Sequence, residues 1–203
     1  MASTTPIRDP GEDRLLSPGN CALVIVDFQP IQVGSVASRD RRSLVENVVA
    51  VARTAKLFGV PVVLSTVNVK TGINKPMIEP IMALFPGIEP IDRTAINAWE
   101  DEEFVRAVEA TGRRKLVFCA LWTEVCLAFP TLDALASGYE VYPVVDAVGS
   151  TSLEAHQVGL QRVVQAGAQP TTWTQFICEL QRDWNRRETA AEFARLLFAV
   201  EGM

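Results

Sequence analysis

A cysteine just past an apolar run is the residue in this chain best suited to covalent chemistry. Cys126 lies shortly beyond the apolar segment Leu116–Trp122, within about a turn of the start of a helical segment. The positive end of a helix favours a thiolate over a thiol. A free thiol titrates near ~8.5, so a nucleophilic cysteine needs a cation nearby, a base nearby, or both. Asp27 follows the apolar run Cys21–Val26. Half desolvated, its carboxylate would have a raised pKa and could take the thiol proton. Arg93 follows the segment Ile88–Asp92 and could supply the cation. Each has a plainer reading. Cys126 could be a small core residue. Asp27 could cap a neighbouring backbone N–H, and Arg93 could pair at the surface with Asp92 or Glu100. Asn97, placed before Trp99-Glu100-Asp101, reads as a helix N-cap.

The remaining thiols rank lower. Cys119 falls inside an apolar strand, Cys21 begins one, and Cys178 lies in a helix among aromatic residues. All three are expected to be inert packing. His156 shares a helical face with Leu153, Leu160 and Val163, so its imidazole points inward. A core histidine with satisfied hydrogen bonds is the expectation there, because a lone histidine lacks the partners that catalysis or metal binding requires.

Bringing Asp27, Arg93 and Cys126 together requires several strand ends at one edge. Strand-like and helix-like segments alternate from residue 21 almost to the end. Strands are expected at Cys21–Val26, Val60–Val67, Ile88–Asp92, Lys115–Leu121 and Glu140–Val145, with a short sixth at Gln169–Thr172. Between them, apolar residues recur at helical spacing. One helix carries Leu44, Val48, Val51, Ala55 and Phe58 and stops at Gly59. A short one near Met77–Leu84 sits in the loop Asn68–Gly87, and another ends at Gly112. Glu124–Ser137 is helical with Pro130 as a kink, and Thr151 with Glu154 forms a capping-box pattern opening the next helix. Two more carry Trp173 to Trp184 and Glu188 to Val200. This alternation describes a single doubly wound α/β domain: a parallel sheet of about six strands, helices on both faces and helical extras at the C-terminus. Ligands in such sheets bind beyond the carboxyl ends of the strands, which is where Asp27, Arg93, Thr123–Cys126 and Asp146 fall.

Composition narrows the function. The chain has 203 residues, 48% hydrophobic and 21% charged, a size for one domain. Residues 1–17 read as a polar lead-in and 18–203 as the domain. The net charge of −5 and the lack of a Lys/Arg block disfavour nucleic-acid binding. No apolar run approaches the ~20 residues needed to span a bilayer, and the N-terminal stretch lacks the apolar core of a secretory signal. No membrane partner is expected, and the expected compartment is a reducing cytoplasm. With one histidine and no C-x-x-C among four cysteines, no metal site is expected. No G-x-G-x-x-G follows the first strand and no P-loop occurs, so no nucleotide cofactor is expected.

Ala22-Leu23-Val24-Ile25-Val26-Asp27-Phe28-Gln29 resembles the first-strand motif of the isochorismatase-like cysteine hydrolases. Trp122-Thr123-Glu124-Val125-Cys126 resembles the nucleophile motif of the same superfamily, and the segment from Thr131 through Gly138-Tyr139 to Asp146-Ala147 continues the pattern. The resemblance covers roughly residues 20 to 185. It is strongest to bacterial hydrolases of unassigned substrate, through Ile96-Asn97-Ala98-Trp99 and Glu179-Leu180-Gln181-Arg182-Asp183-Trp184.

It implies a six-stranded sheet of order 3-2-1-4-5-6, with Asp27 and Cys126 meeting across the switch point. It implies a triad of Asp27, Arg93 and Cys126, although the family usually has lysine where this chain has Arg93. Arginine stays protonated and cannot shuttle a proton, but it can hold a thiolate and orient Asp27. It also implies a non-proline cis peptide between Leu121 and Trp122, with the N–H groups of Trp122 and Cys126 forming an oxyanion hole. The implied reaction is hydrolysis of a small amide-type C–N bond through a thioester. Phe28, Asn97, Thr123 and Trp122 are expected to shape the pocket for a small-molecule substrate. A homo-oligomer is implied; the terminal helices carrying Trp173, Phe176, Trp184, Phe193 and Phe198 are either candidate contact surfaces or simply packed on the sheet. No histidine lies between Asp27 and Arg93, which disfavours the metal site of nicotinamidases. Isochorismatases proper lack the cysteine, which disfavours vinyl-ether hydrolysis. Two other readings stand beside this one: a redox-sensing thiol, and a binding or scaffold protein that keeps the fold without catalysis.

Overall fold

The computed structural model describes residues 9 and 11–200. Its centre is β1, Cys21–Val26, buried along its whole length as an apolar run between two helix layers must be. Side chains alternate across the sheet. Leu23 and Ile25, with Val117 and Cys119, share one apolar cluster with α2 (Arg41–Phe58), α7 (Trp173–Gln181) and α8 (Arg187–Val200). Ala22, Val24 and Val26, with Leu116, Phe118 and Ala120, pack on the other face against α4 (Glu102–Ala110) and α5 (Ala128–Ala136).

The sheet is parallel, in the order β3-β2-β1-β4-β5, with β2 at Val62–Val67, β3 at Ile91–Arg93, β4 at Lys115–Ala120 and β5 at Glu140–Pro143. It has five strands rather than six. The expected sixth segment runs beside β5, with Gln169 N–H donating to Val141 O and Thr171 N–H to Pro143 O, but it makes only the single bridge Val144–Thr171. Gln169 and Thr171 turn their N–H groups toward β5, so Pro170 between them faces outward, where its missing N–H leaves no ladder bond unmade. β3 begins later than expected, at Ile91, directly after Pro90. Arg93 is therefore the last residue of a strand rather than the residue after one.

Register brings the strand ends level. Val26 faces Ser65 on one side and Ala120 on the other, and Val67 faces Arg93. The chain leaves β1 through Asp27 into the short helix α1, Pro30–Ser35, and leaves β2 into a loop carrying α3, Glu79–Met82. Gly59, at φ 65°, ends α2 as its sequence position suggests.

Two local expectations change. The N-cap of α6 (Leu153–Gln165) is Ser152, whose hydroxyl accepts from Ala155 N–H, rather than Thr151. The segment expected to be one kinked helix is instead a wide π-type turn, Thr123–Leu127, running into α5. The Pro130 ring would clash with the carbonyl four residues back, which belongs to Cys126. The proline thus acts on the backbone of Cys126 rather than on the middle of the helix.

The described part of the lead-in is docked onto the domain. Leu16 is fully buried in the core, and its N–H donates to Glu179 at 2.5 Å. Arg182 reaches Asp13 at 2.8 Å, and the Lys115 ammonium donates to the Asp13 carbonyl. Residues 1–8 and 10 lie outside the described residues. Among the described residues, no helix is long and apolar enough to cross a membrane.

Candidate active site

Asp27 takes a left-handed conformation, φ 60°, directly after β1. That region is uncommon for residues other than glycine, and Asp and Asn are among those that enter it. Asp27 N–H donates to Ser65 O, and Asp27 O accepts from Gln29 N–H, fixing the bend. The carboxylate then meets Arg93 from the end of β3, with Nη2 donating to Oδ2 at 2.7 Å. Neither side chain has any exposed surface. Arg93 is thus far from the surface pair with Asp92 or Glu100 that its sequence neighbours suggested. Asp92 is engaged elsewhere, accepting from Val69 N–H, Lys70 N–H and the Thr66 hydroxyl.

Cys126 completes the cluster from the wide turn after β4. Its thiol interacts with the Asp27 carboxylate, and the Trp122 backbone N–H points at its sulfur. Oδ1 of Asp27 and two donors of Arg93, Nε and Nη1, are buried with no conventional hydrogen-bond partner.

Electrostatics correct one expectation. A thiolate favoured by a helix N-terminus is not the resting form. Burial pushes the Cys126 thiol well above its ordinary pKa, and the Asp27 charge adds to that; Arg93 and the Trp122 N–H oppose it without prevailing. Asp27 is also raised, by burial, with Arg93 and Cys126 pulling the other way. Arginine stays charged, so an ionised Asp27 is what compensates it. Burial thus favours the neutral thiol at Cys126, while Arg93 favours the ionised form of Asp27.

The expected pocket residues differ in burial and in partners. Phe28 and Thr123 have no exposed surface, and Phe28 belongs to the core. Asn97 caps Trp99 N–H at 3.1 Å and donates to Asp133 at 2.7 Å. Trp122 is partly exposed, its indole N–H held by the Ser35 hydroxyl at 2.9 Å. A cis peptide joins Leu121 to Trp122. Asp146, which sequence position had put in the zone beyond the strands, caps α7 through Trp173 N–H.

Among the other thiols, burial pushes Cys21 up to about 12 and Cys119 well above its ordinary value. Cys178 is exposed, contrary to its expected burial, because it lies on the outer side of α7. Of the aromatic residues expected at a contact surface, Trp173, Phe176 and Phe193 are buried within the chain. Only Trp184 and Phe198 remain exposed, and their rings stack at 6.5 Å. Trp184 lies outside α7, which ends at Gln181.

Sequence reasoning missed the residues that brace the cysteine turn and the loop after β5. Arg39 bonds the carbonyls of Val145 and Asp146, and Ser150 donates to Glu124 at 2.5 Å. These pairs are far apart in the chain and leave no local pattern. Gly159 did leave one, a glycine in mid-helix. A Cβ there would lie 2.9 Å from both Cα and N of Glu124. Replacing Gly159 by alanine should gain about 1 kcal/mol of helix propensity. It should lose more, ~1–3 kcal/mol, by overpacking against backbone that cannot swing aside. Net destabilisation in a denaturant titration is the expected result; a more stable variant would show that α6 can move.

Known proteins share this arrangement of elements. A model of the isochorismatase domain matches residues 21–175. The chain is 39% identical over 170 residues to Probable hydrolase YcaC of Escherichia coli (strain K12), covering 83% of this chain and 81% of that one. The crystal structure of the Escherichia coli YcaC gene product, described as an octameric hydrolase of unknown specificity, superposes with a TM-score of 0.82 at 34% identity, over 94% of this chain and 98% of that one. YcaC from Pseudomonas aeruginosa, solved with hexane-2,5-diol and covalent acrylamide, gives 0.82 at 33% identity over the same shares of the two chains.

Proposed function

This chain belongs to the isochorismatase family, and from that premise we propose that it is a hydrolase of a small amide-type C–N bond with Cys126 as nucleophile. The observation that carries the reading is the buried Asp27–Arg93 pair set beside the only cysteine at the strand-end edge. Burying two opposite charges costs several kcal/mol of desolvation per ion, and apolar side chains would fill the same space without that cost. Chemistry at Cys126 accounts for keeping them.

In the proposed cycle, the Sγ–C bond forms at the substrate carbonyl while Asp27 accepts the thiol proton. Arg93 keeps its charge and balances the carboxylate before and the sulfur during transfer. The N–H groups of Trp122 and Cys126 face the oxyanion. Protonated Asp27 gives its proton to the leaving nitrogen, and the C–N bond breaks to leave a thioester. Asp27 then takes a proton from water as it attacks, and the acid leaves with the thiol restored. The high resting pKa of Cys126 fits this order, because the thiol surrenders its proton only as the bond forms. Trp122, which keeps exposed surface, would border the pocket, and Phe28, Thr123 and Asn97, all buried, would back it. The Pseudomonas relative with covalent acrylamide supports a reactive nucleophile in this family, acrylamide being an electrophile at its vinyl carbon. A redox-sensing role for Cys126 is less well supported, since sensor thiols are accessible and of low pKa. A reducing, cytoplasmic setting suits four free thiols.

The test is alkylation by iodoacetamide and acrylamide against pH, mapped to each cysteine by mass spectrometry. Cys126 should react faster than Cys21 and Cys119, with exposed Cys178 as a background. Its rate should fall on acidification at a pH above the ordinary Asp value of ~3.9, since Asp27 is raised and must be ionised to accept a proton. In Asp27→Asn the rate should instead follow the thiolate and keep rising into alkaline pH. A Cys126 rate unaffected by Asp27→Asn would overturn the mechanism.

Assembly is proposed as well. Exposed Trp184 and Phe198 offer an aromatic surface, and the Escherichia coli relative is octameric. Light scattering at micromolar concentration should give a mass several times 22.2 kDa, and a monomer would exclude assembly.

A further inference from the structure

Among the residues around the cysteine turn, His156 has a more defined setting than a core histidine needs. It projects from α6 and is 7% exposed. Nδ1 lies 2.9 Å from the Thr123 hydroxyl, and Nε2 lies 3.4 Å from Nη2 of Arg39. Arginine can only donate, so Nε2 must accept. The ring is therefore neutral with its proton on Nδ1, and Nδ1–H donates to the Thr123 hydroxyl.

Arg39 is itself fixed by the carbonyls of Val145 and Asp146. Thr123 opens the wide turn: its N–H donates to Gly149 O, and its carbonyl accepts from Ala128 N–H. Gly159, one turn along α6 from His156, lets that helix touch the backbone of Glu124. The imidazole thus links a rigid arginine to the first residue of the segment that carries Cys126.

We infer that His156 is a positioning residue for Cys126, acting through Thr123 with its tautomer set by Arg39. The inference rests on the proposed role of Cys126 and goes beyond it. Two charged groups bear on the ring, Arg39 disfavouring its protonation and Glu124 favouring it; burial and Arg39 prevail and hold its pKa below the ordinary value. The link therefore persists across the neutral range.

The test pairs two substitutions with opposite expectations. His156→Asn keeps an N–H near the position of Nδ1. His156→Leu keeps apolar volume and loses the donor. If the histidine positions the turn, His156→Leu should slow Cys126 alkylation about tenfold, roughly what one lost hydrogen bond is worth. His156→Asn should stay within about threefold of wild type, inside that loss. If the residue only fills the core, the order reverses: leucine is tolerated, and asparagine lowers both melting temperature and rate. Thr123→Val removes the same hydroxyl from the other side and carries the test if His156→Leu does not fold. Where both fold, the double variant should be no slower than the slower single, because both remove one interaction. Equal rates for the leucine and asparagine variants, or an unchanged rate in Thr123→Val, would overturn the inference. If wild-type Cys126 shows no dependence on Asp27, the role proposed for Cys126 fails and the inference falls with it. If that dependence holds and only the His156 outcomes fail, the inference alone is lost.

Discussion

Cys126→Ala should reduce turnover of any substrate to the uncatalysed background, a loss of at least ~10³-fold. The side chain is 8% exposed and lies among apolar residues, so removing its sulfur leaves a small void. The fold should survive with a modest loss of stability, about that of one small core truncation. Activity and stability therefore separate in this variant. Turnover is measured on pure protein against a panel of small amides and ureides, with thermal unfolding as the control. Retained turnover in folded Cys126→Ala would remove the thioester mechanism whatever the substrate is. Cys178→Ser is a useful companion, because Cys178 is exposed and outside the site and should change neither measurement.

The second large effect concerns the buried pair. Removing one partner leaves the other as an uncompensated buried charge, which typically costs ~3–5 kcal/mol. In a chain of this size that lowers the melting temperature by roughly 6–20 °C. Arg93→Ala is expected to fall in that range, while Arg93→Lys keeps the charge and should lose less. Asp27→Asn leaves Arg93 unpaired and also removes the proposed base, so it should lose stability and ~10²–10⁴-fold in rate together. The exposed pair Arg42–Glu46 is a control, as neutralising it should be nearly silent in both measurements. Calorimetry and alkylation on the same samples decide the matter. An Arg93→Ala variant as stable as wild type would mean that Asp27 is not ionised at rest, and proton transfer from the thiol would then need another acceptor.

Arg93 also separates what was readable in the sequence from what was not. Its neighbours Asp92 and Glu100 suggested a surface pair, because local sequence shows local partners. Its actual partner is 66 positions away, across β2. The pairing follows once the parallel order is known, since Val67 faces Arg93 and Val26 faces Ser65 in register. Cys126 was readable as a candidate from its place after an apolar run, but its ionisation was not. The helix-terminus argument considered one field, and burial together with the Asp27 charge outweighed it. Pro130 announced a disturbed helix, yet only the folded backbone shows the disturbance at Cys126 itself.

By itself the sequence determined the alternation of strands and helices, the parallel sheet with two apolar faces, and the residues standing at the strand ends. These are period and composition effects, written in the spacing of apolar side chains along a few residues at a time. Only the tertiary structure decided that Gln169–Thr171 makes a single bridge instead of a strand, that Leu16 is core, that Asp27 and Arg93 have no contact with water, and that His156 meets both Arg39 and Thr123. Each of these depends on desolvation or on hydrogen bonds between distant segments. Such terms are set by what packs around a group, and a linear chain does not contain that information until its segments have been brought together.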